Sequence, residues 1–337
     1  MTIYFKIIKP PMTATNERNF ILNAKSPVIV QLIDGEKAIE EFSKKDKFIE
    51  SMSPFDLECR MNISPTPSIE EYVSFITQQI MPWSNLCAGQ VQSVIEDMNN
   101  NSNDVLKYCS FPSTIYIILT NGQDEAKAAY CRNSNLIILP LSVDEENNPV
   151  GDLASLTSGH NWNSTIKHEL FHIWSRNNIQ MRDIMYQIIG YLRVPKEICI
   201  PSNLMNLKVT NPDACVIEHW ISLKRLSNDD PVNVAPVLVA SKSYVVEQEP
   251  NFFKYIRKLF VVLDNELNST EELLSYDDVV GLRNKIGNNT DYIIHPEEVL
   301  ADNFVLLLNH CIDVPDQRIL NQMIEILRTN HKVNELC

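Results

Sequence analysis

Two runs of β-branched and apolar residues most constrain the fold of this chain: STIYIILT, Ser113–Thr120, and NLIILPLSV, Asn135–Val143. Runs of this length and composition, bounded by turn-forming residues, read as buried strands. The stretch between them, NGQDEAKAAYCRNS, is rich in turn residues. Pro140 has no N–H to give to a ladder, so the second strand is expected to lie at a sheet edge or to end there.

Around these strands the chain alternates and then changes texture. The first hundred residues mix strand-like runs (TIYFKII, PVIVQLI) with helices. Among these, SIEEYVSFITQQIMPW begins on a capping-box pattern, Ser68 with Glu71 three residues later. After the second strand a polar connection leads into the helical segment STIKHELFHIW. From there the sequence reads as mainly helical, around Met181–Leu192, Ala214–Leu226, Phe252–Leu263, Ser269–Lys285, Glu297–Cys311 and Gln317–Thr329. The expected class is α+β: a small mixed sheet with an edge strand before the histidine-bearing helix, then a mainly helical C-terminal half.

Composition narrows the function classes. With 29 basic and 43 acidic residues the formal net charge is −14, which repels phosphate backbones and anionic lipid surfaces. Nucleic-acid binding is therefore not expected. No apolar run is long enough to span a bilayer, and only 8 glycines leave little room for phosphate-cradling loops. The N-terminus reads as a first strand rather than a signal peptide. This fits a cytoplasmic protein, or one exported without a conventional signal. Eight scattered cysteines without a CxxC pair are expected to be reduced thiols.

The segment NSTIKHELFHIWSRNN carries the chemistry. Asn163 or Ser164 can cap a helix reaching about Arg176, with Ile166, Leu170, Ile173 and Trp174 on an apolar face. His168 and His172, four apart, then share one side of the helix and can bind one ion. Zinc accepts imidazole nitrogen at about 2.0–2.1 Å without distortion of such a pair. Glu169 is turned to the side, where its carboxylate can take a proton from a water on the ion.

HELFH resembles the HExxH motif of zinc metallopeptidases. The third histidine of HExxHxxGxxH is missing after His172, as is a Gly-Thr-x-Asp element. DYIIHPEEVLADNFVLLL instead places Glu298 and Asp302 four apart on a helix that Pro296 can start. This ExxxD spacing is similar to the second helix of gluzincins, the thermolysin-like class. The resemblance implies Zn2+ bound by His168, His172 and Glu298, with Asp302 orienting a histidine and Glu169 as general base. Glu297 is the alternative third ligand. Tyr292 and His295 are candidates to stabilise the oxyanion, with His219 a third. In this class an edge strand before the zinc helix aligns the substrate, and NLIILPL stands in that place. The resemblance covers roughly Ser113–Asn177 and Asp291–Leu308, about a quarter of the chain.

These readings divide the chain into an N-terminal α/β region, residues 1–110, and a zincin-like catalytic domain, residues 111–337, with a helical insertion around 179–290. The expected function is zinc-dependent hydrolysis of a peptide or protein substrate. The long insertion suits a narrow-specificity protease of the toxin or effector type. The competing expectation is a non-catalytic helical scaffold with a decayed or structural metal site. For His160 and His219, and for Trp162, Trp174 and Trp220, packing is the expected role.

Overall fold

A computed structural model describes residues 18–141, 162–247 and 252–334, with side chains described up to residue 329. The strand expected at the N-terminus and His160 lie outside the described residues.

The first sheet has six strands: β1 (Arg18–Asn23), β2 (Pro27–Leu32), β3 (Ile80–Met81), β4 (Thr114–Thr120), β5 (Tyr130–Arg132) and β6 (Leu136–Pro140). Its order is β1-β2-β4-β6-β5, with β3 on the end of β4. The β2–β4 and β4–β6 pairs are parallel and the others antiparallel. Six helices lie between β2 and β4, with β3 interrupting them: α1 (Gly35–Phe42), α2 (Lys47–Glu50), α3 (Pro54–Met61), α4 (Ile69–Thr77), α5 (Asn85–Asn101) and the short α6 (Asn103–Leu106). The capping box expected at Ser68 and Glu71 opens α4.

The two anchoring strands form as expected, and β6 ends at Pro140. It is not an edge strand over its first half, because Leu136, Ile137 and Ile138 pair with β5. A three-residue strand hidden in the turn-rich connection takes the edge. The proposed boundary at residue 110 also fails, since β1 and β2 share this sheet and one apolar core with the elements that follow.

Beyond β6 come α7 (Trp162–Asn177) and α8 (Ile179–Ile188). The next hundred residues depart from the sequence expectation. In place of a helical insertion they build a second six-stranded sheet from β7 (Tyr191–Arg193), β8 (His219–Arg225), β9 (Pro231–Ala240), β10 (Ile256–Leu263), β11 (Ser269–Ser275) and β12 (Val279–Val280), ordered β11-β10-β9-β8-β12 with β7 also on β8. The physical reason is visible along β8, whose buried residues His219, Ile221 and Leu223 alternate with more exposed ones. That is the period of two of a half-buried strand. In β9, Val232, Val234, Val237 and Val239 are all buried. Their branched side chains fit a pleated surface better than a helix. Pro236 lies past Val234, the last β9 residue that pairs with β8, so its missing donor interrupts nothing on that side.

The chain then returns to helix: α9 (Leu282–Ile286), α10 (Pro296–Leu308) and α11 (Gln317–Asn334). The class is thus α+β with a helical C-terminal part. The central pair is α7 against α10. Both are buried on nearly every face, with Phe171 and Phe304 packed at a ring separation of 5.6 Å. Burying a side chain of this size contributes about 1.5–3 kcal/mol. Helices this deeply enclosed normally carry no charge at their interface. This pair is an exception.

Candidate metal centre

The polar stripe of α7 faces the first turns of α10. Pro296 occupies the first position of α10 and His295 caps it, its Nδ1 accepting the Glu297 N–H at 3.1 Å. This start places Glu297, Glu298 and, one turn later, Asp302 against α7, where acidic residues also suit the positive end of the helix dipole. The rings of His168 and His172 stand edge to face with centroids 4.7 Å apart.

Across the interface, Glu298 Oε2 lies 3.1 Å from His168 Nε2 and 3.5 Å from His172 Nε2. Zinc bonds of about 2.0–2.2 Å in a tetrahedral arrangement place neighbouring ligand atoms about 3.3 Å apart. The observed separations bracket that value. Each outer ring nitrogen is held by a different carboxylate: His168 Nδ1 is 2.9 Å from Asp302 Oδ1, and His172 Nδ1 is 2.9 Å from Glu297 Oε1. Such outer partners fix the ring and the tautomer of a liganding histidine. His172 Nε2 is buried and forms no hydrogen bond, which a buried polar atom rarely tolerates.

Glu297 and Glu298, open alternatives in the sequence, thus occupy different places. Glu298 sits between both inner nitrogens, whereas Glu297 accepts from His172, Ser175 Oγ and Tyr186 OH. Asp302 also accepts from Thr290. The electrostatics follow from this crowd of carboxylates. Burial disfavours a charged imidazole, yet the Asp302 and Glu298 contacts outweigh it and push His168 up to about 10. His172 is likewise raised by the nearby carboxylates, and Glu298 is held well below its ordinary range by the two histidines despite its burial.

Glu169 points to a neighbouring cluster. Its Oε2 accepts from the Cys131 thiol of β5 at 3.2 Å, and Asp213 completes the group. Burial, reinforced by repulsion from Asp213, pushes the Glu169 carboxyl up to about 7. Asp213 Oδ1 also accepts the Cys131 N–H at 3.0 Å and Arg176 Nη2 at 2.8 Å, and Arg176 Nη1 donates to Asn133 O at 3.1 Å. The outer edge of β5 is therefore occupied by the chain itself. The strand expected to align a substrate, NLIILPL, is β6, which β5 covers over Leu136–Ile138 while Leu139 and Pro140 have no partner in β5.

The candidate oxyanion donors separate. Tyr292 is 44% exposed as a residue and its ring lies 6.3 Å from that of His168, while burial and the nearby Glu298, Asp213, Glu169 and Asp302 carboxylates raise its hydroxyl well above the ordinary phenol range. His295 is committed to capping α10. His219 is buried in β8, with Nε2 3.0 Å from Asp183 and its ring against Tyr186. Both stand beside a cavity of about 420 Å³ that Arg176, Tyr186 and Asp213 also line and that none of His168, His172 and Glu298 touches. Trp174 packs in the core as expected, and Trp162 packs edge-on against Trp83.

Sequence reasoning named the histidines, both glutamates and Asp302. It passed over Ser175, Tyr186, Cys131 and Asp213. The one available signal was the turn signature Asn211-Pro212-Asp213, and the helix expected after it, from Ala214, is instead a loop leading into β8. Among the described residues the seven cysteines form no disulfide, and no helix is long and apolar enough to cross a membrane. No known protein family, curated protein or solved structure matches the chain.

Proposed function

We propose that this chain is a zinc-dependent peptidase in which His168, His172 and Glu298 hold the metal. The observation that carries this reading is the convergence of two imidazole Nε2 atoms on one carboxylate oxygen, with each Nδ1 fixed by a separate carboxylate. An unbonded, buried His172 Nε2 supports it, since a cation would supply the missing partner. Zinc in such a site supplies a polarised carbonyl and a water acidified to about pKa 7.

The residues around it take the remaining roles. Glu169 is the proton carrier, accepting from the attacking water and delivering to the leaving amine. Burial, which disfavours its charged form, suits a carboxyl that both takes and gives a proton. Cys131 holds one Glu169 oxygen in place. Asp302 and Glu297 keep the imidazoles oriented, and Tyr292, whose ring lies 6.3 Å from that of His168, is the candidate donor to an oxyanion.

The test is metal content of the purified protein by mass spectrometry beside Glu298→Ala and Glu169→Gln. The expected result is about one zinc per chain in the wild type and in Glu169→Gln, a large loss in Glu298→Ala, and peptide hydrolysis reduced at least ~100-fold in Glu169→Gln. A wild type that takes up no zinc after reconstitution would return HELFH to an ordinary core helix and leave the scaffold reading in its place.

A further inference from the structure

One group that touches the candidate ligands comes from neither helix. Asn211, half-buried on the segment that leads into β8, donates from Nδ2 to Glu298 Oε1 at 2.6 Å. Its Oδ1 accepts the Asp213 N–H at 2.9 Å. Both ends of the amide are therefore assigned, because the opposite flip would set oxygen against carboxylate and NH2 against N–H. The backbone just before it is pinned as well. Thr210 N donates to both Asp56 oxygens at 3.0 and 3.2 Å, and Thr210 O accepts from Arg60 Nη2 at 3.0 Å. Asp56 and Arg60 belong to α3, a helix whose own start is fixed by a capping box at Ser53.

We infer that Asn211 is a positioning residue that keeps Glu298 a one-oxygen ligand, so that a coordination position stays open for water or a substrate carbonyl. This rests on the zinc reading given above. A carboxylate can offer a metal one oxygen or two. Here Oε2 faces both imidazole Nε2 atoms while Oε1 is tied to Asn211, and turning Oε1 onto the ion would break a short hydrogen bond anchored through residue 210 to α3. Catalytic zinc needs three protein ligands and one vacancy, and a second carboxylate oxygen would compete for that vacancy. The anchoring also explains why a segment of the second-sheet region reaches the metal helices at all. Its side chain supplies what neither α7 nor α10 offers, a donor aimed at the far oxygen.

The experiment compares wild type, Asn211→Ala and Asn211→Asp, each loaded with zinc and, separately, with cobalt(II) as a spectroscopic stand-in. Asn211→Asp keeps the side-chain shape while replacing the donor with a repelling carboxylate, so it reads the same interaction even where the alanine variant fails to fold. Zinc affinity, measured by competition with a chelating dye, is expected to fall ~10–100-fold in both variants. The visible absorption of cobalt weakens as its coordination number rises. It is expected to lose intensity in Asn211→Ala, where Glu298 is released to bind through both oxygens. Wild-type affinity and an unchanged cobalt spectrum in both variants would overturn the inference while leaving the zinc site standing. A wild type that binds neither metal would remove the zinc site itself.

Discussion

Two of the buried charge clusters in this molecule balance opposite charges by different means. In the first, Arg60 of α3 meets Glu125 through Nε and Nη2 at 2.6 and 2.7 Å, Asp56 through Nη1 at 2.6 Å, and Thr210 O. Its guanidinium also stacks between the rings of Phe48 and Phe252. A guanidinium cannot give up its proton, and its donors here meet protein acceptors. In the second, Glu297, Glu298 and Asp302 face two imidazoles. The positive charge there is a proton on a ring nitrogen, which a metal can replace. The comparison separates a permanent internal charge from an exchangeable one. The first cluster is complete as protein, whereas the second still holds an unbonded His172 Nε2.

The largest expected effect breaks the permanent cluster. Arg60→Ala leaves Asp56 and Glu125 buried without their cation, a change that costs about 3–5 kcal/mol. Urea unfolding of the metal-free protein measures it, and Arg60→Lys should recover little, because a point charge cannot reproduce the fork to Glu125. A loss below ~1 kcal/mol would show that the network relaxes and is not the clamp described.

The exchangeable cluster should respond to metal instead. Zinc at a hundred times its dissociation constant stabilises a protein that binds it only when folded by about 2.7 kcal/mol. Wild type should gain that stability, read as a rise in melting temperature on adding zinc to metal-free protein. Glu298→Ala should gain almost none. Equal stabilisation of both proteins would place the metal elsewhere, with the Cys131, Glu169 and Asp213 group the next candidate.

How much of this was legible in the sequence depends on the range of each signal. The strands β4 and β6, the helix α7 and the start of α10 are local patterns, and each forms within a few residues of its expected bounds. The pairing of Glu298 with the histidines was readable because ExxxD spacing is itself local, although the two helices lie about 125 residues apart. The second sheet was not. IRKLFVVL and HWISLKR are too short for an apolar run to distinguish strand from helix, and pairing partners decide between them. Asn211 and Cys131 were out of reach for a further reason. Their partners lie 87 and 38 residues away, and no periodicity connects an amide or a thiol to a distant carboxylate. Glu297 shows an intermediate case: its place in the first turn was expected, but only the structure sets it against His172 Nδ1 while Glu298 faces both Nε2 atoms.

The smallest expected effect concerns His295, which caps α10 and is not one of the charged partners of either cluster. Burial, with repulsion from His219, pushes its imidazole down to about 3, so the ring stays neutral in the folded protein and its Nδ1 remains free to accept the Glu297 N–H. Unfolded, the same ring titrates near 6.5. Between those values the unfolded chain binds the extra proton, so stability falls as pH drops from 6.5 towards 3. The substitution His295→Asn keeps an acceptor suited to a helix start while removing the titration. Comparing urea midpoints at pH 6.5 and pH 5, wild type should lose about 1–2 kcal/mol more than His295→Asn. Parallel losses would mean that the ring accepts a proton in place, and that cap and cluster share the exchangeable charge that here is confined to His168 and His172.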